Sequence, residues 1–422
     1  MVETALENGL QVLVQESHTA PVVSCWVGYR VGSRNERPGI TGASHWVEHM
    51  TFKTTDGLPS GEIFRLTARH GGSNNGFTSD DYTLYYETLP ADQLEVALQI
   101  ESERMASVLF DPAETEKERG VILAERQGNE NSPLYRLGEQ LRAETFRGRS
   151  YAHPIIGTED DLRRITRDDL REHYRTYYAP NNAVLVISGD VDAEAVLPRV
   201  QRVFGEIPPA ELPAPAAPAE PPPAAGSSRI ELRERGSAAY LQLLYPTPAA
   251  GHPDCYPLAM ADALLSGARP VSWNGGGYMG RTARLYRRLV ESHLAINVGS
   301  AFRFSTDPYA FSASLTLREG RDPAEAEAVL AEVVEGLATE PPSEEELARL
   351  RCQAEAQFAY SRDGVTSRAF ALLHFHLLGH WSNLDHHLER LQAVTPEEIA
   401  RVAARYLTPE NRTTGWFLPE AA

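Results

Sequence analysis

The stretch Thr166 to Asn182, TRDDLREHYRTYYAPNN, returns as Thr395 to Asn411, TPEEIARVAARYLTPEN, at a constant offset of 229 residues without a gap. It pairs Leu170 with Ile399, Tyr177 with Tyr406, Pro180 with Pro409 and Asn182 with Asn411. Self-similarity at a fixed distance marks a duplicated structural unit. The first copy reads as a helix over 165–178, a Pro-Asn-Asn turn and a strand over 183–188. The chain therefore reads as an α+β protein of two homologous domains. They cover 1–207 and 229–422, and a Pro/Ala-rich linker over 208–228 joins them. That linker holds Pro208-Pro209, Pro221-Pro222-Pro223 and Gly226-Ser227-Ser228, and such a composition builds no core.

Outward from the repeat, both halves carry strands and helices in a similar sequence. In the first, Leu10 to Val14 and Val22 to Val31 read as strands, and 61–70 as a helix. After the segment Gly71 to Thr78 a strand runs to Leu89, with Tyr82, Leu84 and Tyr86 alternating against Thr83, Tyr85 and Glu87. That alternation predicts one buried face and one more polar face. Asp111-Pro112 opens a helix with Asp as N-cap and Pro at its first position. In the second half, strands are expected at 230–232, 240–245, 294–304 and 309–317, with helices at 256–265, 323–338 and 343–360.

At 422 residues the chain has length for two cores. Its net charge of −18, with no basic tract, argues against nucleic acid and anionic membranes as partners. Cys25, Cys255 and Cys352 are scattered and read as core thiols of a reducing compartment. No signal peptide pattern and no membrane-length apolar run is present, so a soluble cytoplasmic protein is expected.

The chemistry centres on His45-Trp46-Val47-Glu48-His49. Positions i, i+3 and i+4 of a helix share a face, so two imidazoles one turn apart project with Glu48 beside them. A catalytic Zn²⁺ takes three protein ligands and keeps a position open for water, whose proton a neighbouring carboxylate can accept. H-x-x-E-H is the inverted form of the zinc-peptidase motif. The bland alternative is a pair of surface histidines. Ala43, Trp46, Val47 and Met50 argue instead for a buried helix, where an unpartnered polar face is costly. Thr41 or Ser44 is the expected cap. A third ligand is needed, and Glu118 and Glu125, seven residues apart on one helix face, are both candidates. His374, His376, His380, His386 and His387 form a second cluster, without a carboxylate at motif spacing. They read as packing and surface residues.

In these motifs the chain resembles the pitrilysin family of zinc peptidases, which includes insulin-degrading enzyme and mitochondrial processing peptidase. The resemblance covers nearly the whole chain. It includes Asn8-Gly9-Leu10, Gly32-Ser33-Arg34, Gly42 to Met50, Lys53, Asn75 to Thr78, His153-Pro154-Ile155-Ile156-Gly157-Thr158 and Pro180-Asn181-Asn182. It implies two pitrilysin-like α/β domains enclosing a cavity for small or unfolded peptides. It implies one Zn²⁺ per chain, held by His45, His49 and Glu125, with Glu48 as general base and Glu118 orienting a ligating histidine. Asn75, Gly76, Phe77 and Thr78 would begin a strand onto which peptide substrate adds by backbone hydrogen bonds. By pattern alone that segment is an ordinary edge strand.

One departure stands out. Members active as single chains carry an Arg and a Tyr, seven residues apart, in the second domain after a Gly-rich turn, and these hold the substrate backbone. Aligned on Leu285 and Leu294-Ala295, the two positions fall on Val290 and Ile296, and the turn Trp273 to Gly280 is lengthened. The resemblance then implies a heterodimer with a paralogous subunit that keeps the Arg/Tyr pair; a homodimer is the other possibility. A competing reading is a non-catalytic scaffold, like the core proteins of the respiratory bc1 complex, or a peptide-binding subunit. A scaffold would show a broken motif, whereas the motif here is intact.

Overall fold

In a computed structural model, residues 1–214, 227–272 and 280–420 are described. The first half runs β1 (Val2–Ala5), β2 (Gln11–Glu16), β3 (Val22–Tyr29), α1 (Ala43–Met50), α2 (Glu62–Arg69), β4 (Ser73–Thr78), β5 (Thr83–Pro90), α3 (Leu94–Ala106), α4 (Pro112–Glu130), α5 (Pro133–Thr145), α6 (Glu159–Arg164), α7 (Arg167–Tyr177), β6 (Ala183–Gly189) and α8 (Ala193–Phe204). The second runs β7 (Ser228–Glu234), β8 (Tyr240–Thr247), α9 (Cys255–Ser266), β9 (Ala295–Ala301), β10 (Tyr309–Leu317), α10 (Pro323–Glu335), α11 (Glu344–Ser361), α12 (Val365–Leu377), α13 (His387–Ala393), α14 (Pro396–Tyr406) and β11 (Thr413–Pro419).

The repeat holds at the level of hydrogen bonds. Thr166 and Thr395 each form a reciprocal capping box with the residue three positions on, Asp169 and Glu398. Each helix is followed by a short 3₁₀ turn, Pro180–Asn182 and Pro409–Asn411, and then by a strand. The sheet orders are β1-β2-β6-β3-β5-β4 and β7-β11-β8-β10-β9. Without β1 they are the same order, and in both the only parallel pair involves the repeat strand, β2 with β6 and β7 with β11. The two-domain α+β fold is thus a duplication.

The compact units are not contiguous halves. One comprises the described residues of Met1–Gly128, His153–Pro215 and Arg362–Trp381; the other those of Asn129–Ala152, Ala216–Ser361 and Ser382–Ala422. The two halves exchange helices: α12 packs on β3 and β6, and α5 packs on β11 and β8. Sequence reading divides the chain at 207 and 229 and gives 129–152 no element, because docking onto a distant strand leaves no local signal. Most of the expected linker, 215–226, lies outside the described residues.

The exchanged helix α12 also corrects the alternation on β5. Leu84 and Tyr86 lie on the α12 side, where Trp26 stacks on Tyr86 and meets Phe370. Tyr85 and Glu87 lie on the α3 side, and both are fully buried. The face with Thr83, Tyr85 and Glu87 is the more polar one, but it is buried as well, because the strand is covered on both sides. The strand expected from Thr78 to Leu89 begins later, at Thr83, because Ser79–Tyr82 is the turn of a hairpin between β4 and β5. Cys25 and Cys255 are core thiols, but Cys352 is exposed on α11. No described helix is long and apolar enough to cross a membrane.

Candidate metal centre

Helix α1 is buried along Ala43, Trp46, Val47 and Met50. Its cap differs from expectation. Gly42 stands at the N-cap, and the buried Glu36 carboxylate accepts the amide hydrogens of Gly42 and Ser44, each at 2.7 Å. Thr41 instead donates to Asp161 at 2.6 Å, and Ser44 Oγ lies 3.0 Å from His173 Nε2. A carboxylate six residues upstream suits a helix N-terminus, but only the folded loop brings it there.

The helix presents His45 and His49 with ring centroids 4.6 Å apart. Glu125, from α4, completes the group. Its Oε1 lies 3.8 Å from His45 Nε2, and its Oε2 lies 3.7 Å from His49 Nε2. One ligand atom from each of the three falls within 4.8 Å of the others, and among the described residues no other such group of His, Cys, Asp or Glu occurs. Two ligands of a tetrahedral Zn²⁺ at ~2.0–2.1 Å stand roughly 3.3 Å apart, so these N–O separations are close to closing on an ion. Burial, with His49 adding to it, pushes His45 down to about 3, which keeps the imidazole in its ligating neutral form.

Glu118 does not join the group. Its Oε1 lies 2.9 Å from His49 Nδ1 and its Oε2 lies 2.7 Å from Lys53 Nζ. Burial acts to raise the Glu118 carboxyl, but the bonds from His49 and Lys53 outweigh it and hold it below its ordinary value. For His49, burial acts to lower the ring, and Glu118, Glu48 and Glu125 outweigh it. An Nδ1–H directed at Glu118 leaves Nε2 facing Glu125.

Glu48 is buried beside the histidines, and Thr78 donates its hydroxyl to Glu48 Oε2 at 3.0 Å. Burial pushes this carboxyl above the usual range, partly offset by His49 and by Thr78. Thr78 ends β4, the edge strand, which among the described residues pairs only with β5. Asn75, Gly76 and Phe77 precede it there. Gly76 is required by close approach: a Cβ would stand 2.8 Å from the Tyr85 ring and 3.1 Å from Phe52. Behind those rings lies Arg104, its guanidinium 4.8 Å from the Phe52 centroid and 4.4 Å from that of Tyr85. Arg104 pairs with Glu101 and Glu87, all three fully buried. Sequence reading missed this trio and the roles of Glu36 and Lys53, since each depends on how the folded chain brings side chains together rather than on a local pattern.

In the second unit, Ile296 lies on the edge strand β9 and is 58 % exposed, and Val290 ends a π-helical turn. Of the nearby arginines, Arg284 is committed to Glu346 and the carbonyls of Glu340 and Pro341, and Arg288 to Glu332. The Gly-rich turn falls at 273–279, outside the described residues. In the histidine cluster, His376 is buried against Gln11 and His374 meets the Tyr82 hydroxyl. His380 and His386 are exposed, and His387 is buried.

A duplicated α+β unit with an H-x-x-E-H helix in its first copy alone is a pitrilysin-type architecture. Family comparison agrees. Residues 11–159 match the model described as Insulinase (Peptidase family M16), and residues 164–353 match the Peptidase M16 inactive domain. The chain belongs to peptidase family M16. It is 27 % identical over 409 residues to a relative named Uncharacterized zinc protease YmxG from Bacillus subtilis, covering 96 % of this chain and 95 % of the relative. It is 27 % identical over 421 residues to Zinc protease PqqE from Helicobacter pylori, covering 98 % and 92 %. The crystal structure of a protease from Helicobacter pylori superposes with a TM-score of 0.92 at 25 % identity, covering 99 % of both chains.

Proposed function

We propose that this chain is the zinc-bearing subunit of a metalloendopeptidase acting on small or unfolded peptides. The observation that carries the reading is the convergence of His45, His49 and Glu125 with Glu48 alongside. The names of the relatives, zinc proteases, point the same way. His45 Nε2, His49 Nε2 and one Glu125 oxygen would hold the ion. The donor set of two imidazoles and a carboxylate is that of catalytic zinc, and with three protein ligands a position is left for water. Bound zinc supplies Lewis acidity, lowering the pKa of water and polarising a carbonyl.

The chain's own residues do the rest. Glu48 accepts the proton of the attacking water at Oε1, because Thr78 occupies Oε2. It then returns that proton to the departing amine nitrogen. Glu118 fixes the His49 tautomer. Asn75 to Thr78 offer a free strand edge on which an extended peptide would pair. The second unit offers apolar Val290 and Ile296 where a clamp would need donors. A paralogous partner carrying the Arg/Tyr pair is therefore part of the proposal.

The test is zinc content and hydrolysis of an unstructured peptide, with and without that partner. One zinc per chain and partner-dependent cleavage, abolished in Glu48→Gln with the metal retained, is the expected result. Stoichiometric zinc with no cleavage under either condition would favour a scaffold or peptide-binding subunit.

A further inference from the structure

The motif His153 to Thr158 has no task in that chemistry, yet the structure seats it against the metal-motif helix. Gly157 has φ +87, and a Cβ there would stand 2.2 Å from Thr41 O and 2.7 Å from Gly42 Cα. Gly42 has φ +93, and its Cβ would stand 2.4 Å from Ile156 O. Only glycine fits both the left-handed backbone and the contact. Thr158 N donates to Thr41 Oγ1 at 3.0 Å, and Thr41 Oγ1 to Asp161 on α6. The entrance to α1 is thus locked, backbone on backbone, to the segment 153–165.

The same segment is tied to α4. Arg126 Nη1 donates to Gly157 O at 2.6 Å. Arg119, two turns earlier, donates to the carbonyls of Leu162 and Ile165, and its guanidinium lies 4.7 Å from the Trp46 ring centroid on α1. Helix α4 therefore carries two rows at one spacing. Glu118 and Glu125 face the histidines; Arg119 and Arg126, one position on, face the carbonyls of 157–165. Glu125 is 43 % exposed, so surrounding side chains do not wall it in. Its place is set by the placement of α4, and metal ligands tolerate errors of only about 0.2 Å.

We propose that 153–165 is a brace between the two metal-bearing helices and that Arg119 and Arg126 are positioning residues. They fix the separation and rotation of α4 against α1, so that the Glu125 carboxylate meets both imidazoles. The inference rests on His45, His49 and Glu125 being the ligand set.

Zinc affinity by chelator competition, the visible spectrum of the Co²⁺-substituted protein and the apo-protein melting temperature decide it. The variants are Arg126→Gln, Arg126→Lys and Arg119→Gln, with His45→Gln in parallel. The brace predicts a loss of zinc affinity in Arg126→Gln of roughly 10- to 100-fold, as for other groups that orient ligands. It also predicts a changed Co²⁺ spectrum and substantial recovery in Arg126→Lys. Electrostatics alone predicts the opposite sign, because deleting a nearby cation should tighten cation binding. Unchanged affinity and spectrum with only a lower apo melting temperature would reduce the brace to a fold-stabilising contact and overturn the proposal. If Arg126→Gln does not fold, unchanged affinity and spectrum in Arg119→Gln overturn it equally. Retention of zinc by His45→Gln would overturn the ligand set itself, a result distinct from either.

Discussion

Thr78 donates its hydroxyl to Glu48 Oε2 at 3.0 Å, joining the end of the edge strand β4 to the proposed general base on α1. The bond orients the carboxylate and reserves one oxygen. The strand proposed to pair with substrate is therefore also the one that orients the proposed base. Hydrogen bonds to charged groups contribute about 1.5–3 kcal/mol. Thr78→Val should thus lower kcat roughly 10- to 100-fold, at about 1.4 kcal/mol per factor of ten. KM and zinc content should hold, and Thr78→Ser should recover most of the rate. A rise in KM with kcat intact would assign Thr78 to substrate pairing alone.

Glu118 and Glu125 separate by metal analysis. Glu118 bonds His49 Nδ1 and Lys53, so Glu118→Gln should weaken zinc binding by about 10- to 100-fold without abolishing it. Glu125→Gln should leave the site unable to retain the ion through dialysis. Equal and complete loss in both would make Glu118 a ligand.

The buried trio behind Tyr85 makes a pH prediction. Glu87 and Glu101 share one arginine. Burial, then Glu101, push the Glu87 carboxyl well above 4.5, so Glu87 is the member that keeps its proton. A raised carboxyl favours folding below its unfolded pKa, and that contribution is lost as pH climbs from 4.5 through the folded value. Glu87→Gln mimics the protonated form. It should cost less than ~1 kcal/mol near neutrality and should flatten the decline in stability with rising pH. Glu101→Gln leaves Arg104 without its anionic partner and should cost about 3–5 kcal/mol. Thermal melts of the three proteins between pH 6 and 8.5 check this. A steeper decline for Glu87→Gln than for the parent chain contradicts it.

What was legible in the sequence was local or repeated. Thr166 and Thr395 cap their helices three residues before an acidic partner, and Pro180 and Pro409 end them, so pattern alone located both copies. His45, Glu48 and His49 share a face because of helical spacing. Choosing Glu125 over Glu118 required the family resemblance, since both lie on the same face of α4. The exchange of α5 and α12 was illegible, because each helix docks on strands more than 90 residues away in sequence. Glu36 as the cap of α1 was illegible for a related reason. Its carboxylate reaches Gly42 and Ser44 through the fold of the intervening loop, where a cap normally sits next to its helix.

At the aligned clamp positions the second unit offers Val290 and Ile296, and neither side chain can donate to a peptide carbonyl. Of the nearby cations, Arg284 and Arg288 are already paired with Glu346 and Glu332, and Arg281 and Arg287 lie before the aligned position. A hydrolytic centre needs the scissile bond held beside the water it activates, and a misplacement of about 1 Å costs roughly 10²-fold. The purified chain should therefore bind zinc yet cleave an unstructured peptide slowly. Adding a paralogous chain that keeps the Arg/Tyr pair should raise kcat/KM by about 10²-fold or more. Val290→Arg combined with Ile296→Tyr should recover part of that gain without a partner. Titration of activity against the partner, with zinc content monitored, checks the idea. Full peptidase activity from the isolated chain, at rates no partner changes, would show that this chain completes its own site.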